Sequence, residues 1–153
     1  MPRFTDSTGR EWSVELTFGD IKRIRSRMGV DLMGLLDGDP PLVDRLRDDL
    51  ELSLNLVFAA VEPEAVRLNV SDEEFGRSLG GPAAAGALAA LWGAIADFFR
   101  GLRPAATAAA ERVMALRRSA AALLTMVIEM DRQEGSGESP TGQAVHAACS
   151  STA

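Results

Sequence analysis

The 153-residue chain is 46% hydrophobic, ample for one domain with a buried core, which excludes disorder of the whole. A formal net charge of -6 argues against a generic binder of nucleic acid or anionic membrane, because such partners demand a positive field over the contact face. One cysteine excludes an internal disulfide framework and favours a reducing, cytoplasmic setting.

The N-terminus is polar and has no long apolar run of the secretory kind. A short hairpin is predicted over residues 3–17. Trp12, Val14 and Leu16 alternate with Glu11, Ser13, Glu15 and Thr17, the period-two pattern of a half-buried strand, and Ser7-Thr8-Gly9-Arg10 makes the turn. Two strands alone are marginal in water, so their apolar face, with Phe4, should lie on helices.

Thr17 then caps a helix with Asp20 in its first turn, and Gly29 ends it. Ile21, Ile24 and Met28 share its inner face. Lys22, Arg23, Arg25 and Arg27 take the others, a solvated basic side expected to be balanced by Asp44, Asp48, Asp49 and Glu51. Val30 to Leu36 reads as a short second helix or turn, broken by Asp37-Gly38-Asp39-Pro40-Pro41. Asp39 before Pro40 suits a helix cap better than a calcium loop, which would need alternating ligands and a distal glutamate.

From Asp44 to Val61 the spacing predicts a central helix apolar on two sides. Leu46, Leu50, Leu54, Val57 and Val61 form one stripe, and Leu52, Leu56 and Ala59 a second. Glu62-Pro63 should end it. Ser71 with Glu74 reads as a capping box for a short helix burying Phe75 and Leu79, which explains the Asp72-Glu73-Glu74 cluster better than a metal does.

Pro82 opens a further helix whose apolar stripe runs from Leu88 to Leu102. Gly86, Gly93 and several alanines make a small-residue face for close contact, within the fold or between subunits. A membrane span there is disfavoured by the glycines and the alanine content. The last long helix is expected over about 105–132. Val113, Leu116, Ala120, Leu123, Val127 and Met130 step alternately by three and four, the repeat of a two-helix seam. Such a seam either packs on the central helix or serves self-association or a client; Val113, Leu116, Leu123, Val127 and Met130 are the candidate partner-binding residues. Residues 134–153 turn to Gly, Ser, Thr, Pro and Ala and are expected to be a disordered tail.

The fold class expected is therefore mainly α: one domain over 1–133, a small helical bundle with the N-terminal hairpin packed on it, followed by the tail. An enzyme is the weakest functional class. His146 and Cys149, the lone histidine and cysteine, both fall in the tail. There is no tyrosine, no serine sits in a nucleophile turn, and no glycine-rich phosphate loop follows a strand. Neither cofactor nor metal is expected.

Three stretches carry a family likeness. GREWSVELTFGDIKRIRSRMGVDLMGLL, the leucine-rich helix ending in LNLVFAAVEPEA, and NVSDEEFGRSL together resemble the tail assembly chaperones of long-tailed bacteriophages and prophages, over about residues 4 to 100. The resemblance implies a non-enzymatic protein of the bacterial cytoplasm that coats the helical tape-measure protein during tail assembly. The small-residue face and the seam leave a homo-oligomer open, and the acidic balance argues for a partner that is neither nucleic acid nor membrane. A different class, a small DNA-associated regulator using the basic helix 21–28, is disfavoured by the acidic balance and the want of a convincing helix-turn-helix partner.

Overall fold

A computed structural model describes residues 1–135, so the tail from Ser136 on, with His146 and Cys149, lies outside the described residues. The fold is mainly helical with an N-terminal hairpin. Strands β1 (Arg3–Thr5) and β2 (Glu11–Ser13) precede helices α1 (Phe18–Met28), α2 (Leu42–Asp48), α3 (Leu50–Arg67), α4 (Asp72–Ser78), α5 (Gly81–Phe99) and α6 (Pro104–Gly135), with a single 3-10 turn at Leu32–Gly34. The described residues fall into two units that divide after Leu116, the second being the part of α6 from Arg117 on. The boundary falls inside α6, where the sequence reading draws one domain to residue 133.

In the first unit the strands pair antiparallel with Phe4 opposite Trp12, which sets both rings on one face, and Val14 N–H donates to the Pro2 carbonyl beyond them. Phe4, Trp12, Val14 and Leu16 are all buried, as the alternation requires. The turn is organised by Asp6, whose buried carboxylate accepts the backbone N–H of Thr8 and Arg10, the Thr8 hydroxyl and, at 2.9 Å, the indole N–H of Trp12.

Thr17 and Asp20 form a reciprocal capping box at the start of α1. Gly29 ends the helix in the left-handed region at φ 68°, where a side chain would be strained. The expected Asp39 cap is not used: α2 starts at Leu42 behind Pro41, with no side-chain cap.

The continuous helix expected over Asp44 to Val61 is two helices. Asp49 leaves helical geometry (φ -100°, ψ 96°), and its side chain accepts the Leu52 N–H while its own N–H closes α2 on the Arg45 carbonyl. The Ser53 hydroxyl donates to the carbonyl of Leu46 across the break. The break turns Leu50 outward, 50% exposed, while Leu46, Leu56 and Val57 stay fully buried. Asp49→Ala is expected to destabilise the fold by about 1 kcal/mol in denaturant titration, the usual loss for an N-cap.

Pro63 does not end α3, which runs four residues past it to Arg67. A proline supplies no N–H to the carbonyl one turn earlier, here Ala59. The Arg23 guanidinium of α1 supplies the donor instead, at 2.8 Å from the Ala59 oxygen, and is itself held by Asp20 at 3.0 Å.

The most buried helix is α5, with ten inward residues including Leu91, Trp92, Ile95 and Phe99. It is long and apolar enough to cross a membrane, but those ten residues make it the core helix of this unit. Its small-residue face is occupied within the fold by β1 and the proline before it rather than by a helix. A Cβ built on Gly86 would meet Phe4 Cβ at 3.4 Å, and one on Gly93 would meet Pro2 Cγ at 3.1 Å. Leu102, expected on the inner stripe, is exposed. Phe75 of α4 joins the layers, lying edge-on to Trp12 at 5.2 Å and tilted against Phe58 of α3 at 5.1 Å.

Candidate partner-binding surface

The sequence singles out three charged or apolar features: the basic side of α1, the acidic start of α4, weighed there as a metal cluster against a helix cap, and the seam of α6. The first two are engaged locally. On α1, Arg23 pairs with Asp20, Arg25 with Asp31 at 3.7 Å and Arg27 with Glu62 of α3, while Lys22 sits 5.7 Å from the Phe18 ring centre. The balancing acids are thus not those expected from sequence. Asp44 and Asp48 pair with Arg47, and Asp49 is the helix cap. On α4, Ser71 caps the Glu74 N–H at 3.1 Å. The Glu74 carboxylate turns to Arg10 at 3.2 Å, and Glu73 pairs with Arg77.

The α6 seam behaves differently along its length. Val113 is 4% exposed and belongs to the core of the first unit with Ala106 and Ala110, which removes it from the candidate partner-binding set. Leu116, the last residue of that unit, is 59% exposed. In the second unit Leu123, Val127 and Met130 are 61–62% exposed, and so, between 52% and 62%, are Leu124, Met126 and Ile128. Sequence spacing picked out the first three as the seam. The other three widen it. At 100° per residue the six side chains span an arc of roughly 200°, from Met126 on one side to Ile128 on the other. Arg118, Thr125, Glu129 and Arg132 occupy the rest of the helix surface.

No family model, curated protein or solved structure matches the chain.

Chemically, the arc from Leu123 to Met130 offers dispersion and area, with the Asp131 carboxylate on the same side at its end. Soluble monomers rarely expose a contiguous apolar patch beyond a few hundred Å², and a single helix of this length is marginal in water without a covering partner. Methionines at 126 and 130 add adaptable, polarisable contact area.

Proposed function

We propose that the chain is a tail assembly chaperone of a long-tailed bacteriophage or prophage, a non-enzymatic protein that holds the helical tape-measure protein until tube subunits displace it. The observation that carries the reading is the exposed apolar arc between Leu123 and Met130, joined to the sequence resemblance over residues 4 to 100. A client helix laid on that arc is held by burial of aliphatic side chains at its own three- and four-residue repeats.

The test is co-expression with a tape-measure segment. Leu123→Asp with Val127→Asp places two charges where the client's apolar side chains would pack. The pair should weaken capture by about a thousandfold, since burying each side chain contributes roughly 1.5–3 kcal/mol and every 1.4 kcal/mol is tenfold. Both positions are in the second unit, whereas the buried Trp12 and Trp92 are in the first, so the tryptophan-fluorescence melt of the variant should match the parent. Undiminished capture by that variant, or a gene lying away from those for a tube protein and a very long tape-measure protein, would rule the reading out.

A further inference from the structure

We propose that the outer edge of β2 takes an extended basic segment of another protein as a third, antiparallel strand. Along an antiparallel ladder, hydrogen-bonded pairs alternate with non-bonded ones. Asp6 N–H donates to the Arg10 carbonyl and Val14 N–H to the Pro2 carbonyl, both at 2.9 Å, so Phe4 with Trp12 is the bonded pair between them. Arg3 with Ser13 and Thr5 with Glu11 are then the non-bonded pairs, whose amides and carbonyls turn away from the hairpin. Glu15 turns the same way, since Val14 before it is in the ladder and Leu16 after it is buried like Trp12. Among the described residues no backbone group of Glu11, Ser13 or Glu15 has a hydrogen-bond partner. The edge is a row of free donors and acceptors at alternate residues, with no proline, lysine or bulge to blunt it.

Charge selects the occupant. Glu11, Ser13 and Glu15 carry their side chains on the face opposite Trp12 and Val14, and both glutamates are exposed. Glu11 pairs with Arg3 at 2.8 Å, while Glu15 has no partner among the described residues. A second copy of β2 is a poor fit. About a two-fold axis at Ser13, Glu11 of each copy would face Glu15 of the other, and like charges directly opposite destabilise a strand pair. A segment with lysine or arginine at two positions four apart, and a small hydroxyl residue midway, instead sets a cation opposite each glutamate and a hydroxyl opposite Ser13. Backbone pairing then supplies affinity, and the two cations supply choice. The outer edge of β1 is the weaker candidate, since it shows only Arg3 and Thr5 and its cation is already held by Glu11.

This inference needs nothing of α6 and is independent of the chaperone reading. The probe is a blocked, fluorescein-labelled peptide of seven residues, with lysine at its second and sixth positions, serine at the fourth and threonine or valine elsewhere. Titrated with the full chain at low salt, its anisotropy should saturate with a dissociation constant of the order of 100 µM. A peptide with glutamates for lysines should bind at least about tenfold more weakly, and Glu15→Lys should bring the two peptides within about threefold of each other. N-methylating the peptide's serine removes the amide that meets the Ser13 carbonyl and should abolish binding. N-methylating the residue beside it, whose amide faces away, should change binding by less than about twofold. Ser13→Pro should abolish binding as well, and because the Ser13 N–H lies outside the ladder, the tryptophan-fluorescence melt should match the parent. Should that melt fall, the two methylated peptides still decide. Absence of saturable binding, equal binding of the lysine and glutamate peptides, equal loss from both methylations, or self-association in place of peptide binding would overturn the proposal.

Discussion

Replacing Asp6 by alanine is expected to cost about 3 kcal/mol and to lower the melting temperature by roughly 10 °C. Asp6 is buried and accepts from Thr8, Arg10 and Trp12, and Trp12 itself is fully buried. Removing the carboxylate leaves the indole N–H with no acceptor and unties the turn that joins the strands. Asp6→Asn should fall between parent and alanine variant. Its oxygen still serves the turn, but its amide then opposes the indole donor. Acid adds an independent check. Burial pushes the Asp6 carboxyl up, but hydrogen bonds from the Thr8 hydroxyl, the Trp12 indole and the Arg10 and Thr8 backbone outweigh it and hold the pKa at about 2 against the ordinary 3.8. A depressed carboxyl stabilises the fold above its unfolded pKa and loses that contribution as pH falls through the folded value. The parent should therefore lose about 2 kcal/mol between roughly pH 5 and pH 2 through this residue, and the alanine variant should not. Equal acid sensitivity of the two proteins would show that the carboxylate contributes nothing to stability.

Arg23→Ala is expected to destabilise by about 2 kcal/mol, because the Ala59 carbonyl, one turn before Pro63, then has neither a backbone nor a guanidinium donor. Pro63→Ala restores a backbone N–H at that position. It should therefore help the Arg23→Ala protein more than it helps the parent, in which that carbonyl already has a partner. Over the four proteins the coupling should be about 1–2 kcal/mol by denaturant titration. Strict additivity would mean that the arginine acts only through its pairing with Asp20.

Much of the first unit is legible from local chemistry. Alternation at Trp12, Val14 and Leu16 marks the strand. Thr17, Asp20, Gly29 and Ser71 are capping residues whose side chains or backbone freedom act within one turn. Signals that depend on a distant partner are not legible. Leu46, Leu50 and Leu54 keep helical phase straight through the break at Asp49, since an aspartate suits a helix surface as well as a helix start. Pro63 reads as a stop until Arg23, 40 positions earlier, is seen to supply the missing donor. Gly86 and Gly93 announce a close approach without naming β1 as the visitor. The α6 repeat is the hardest case, because a three-four pattern is the same whether the side chains are sealed, as at Val113, or open, as at Leu123 and Val127.

The seating of Pro2 and Phe4 against Gly93 and Gly86 has a consequence for the order of events during synthesis. The strands leave the ribosome before the helix they lie on, whose contact residues are some 80 to 90 positions downstream, and a free two-stranded ribbon does not persist in water. The strands are thus expected to settle only after α5 has been made. Nascent chains halted before Gly86 should show no protease protection of the N-terminal residues, and chains released beyond Phe99 should gain it.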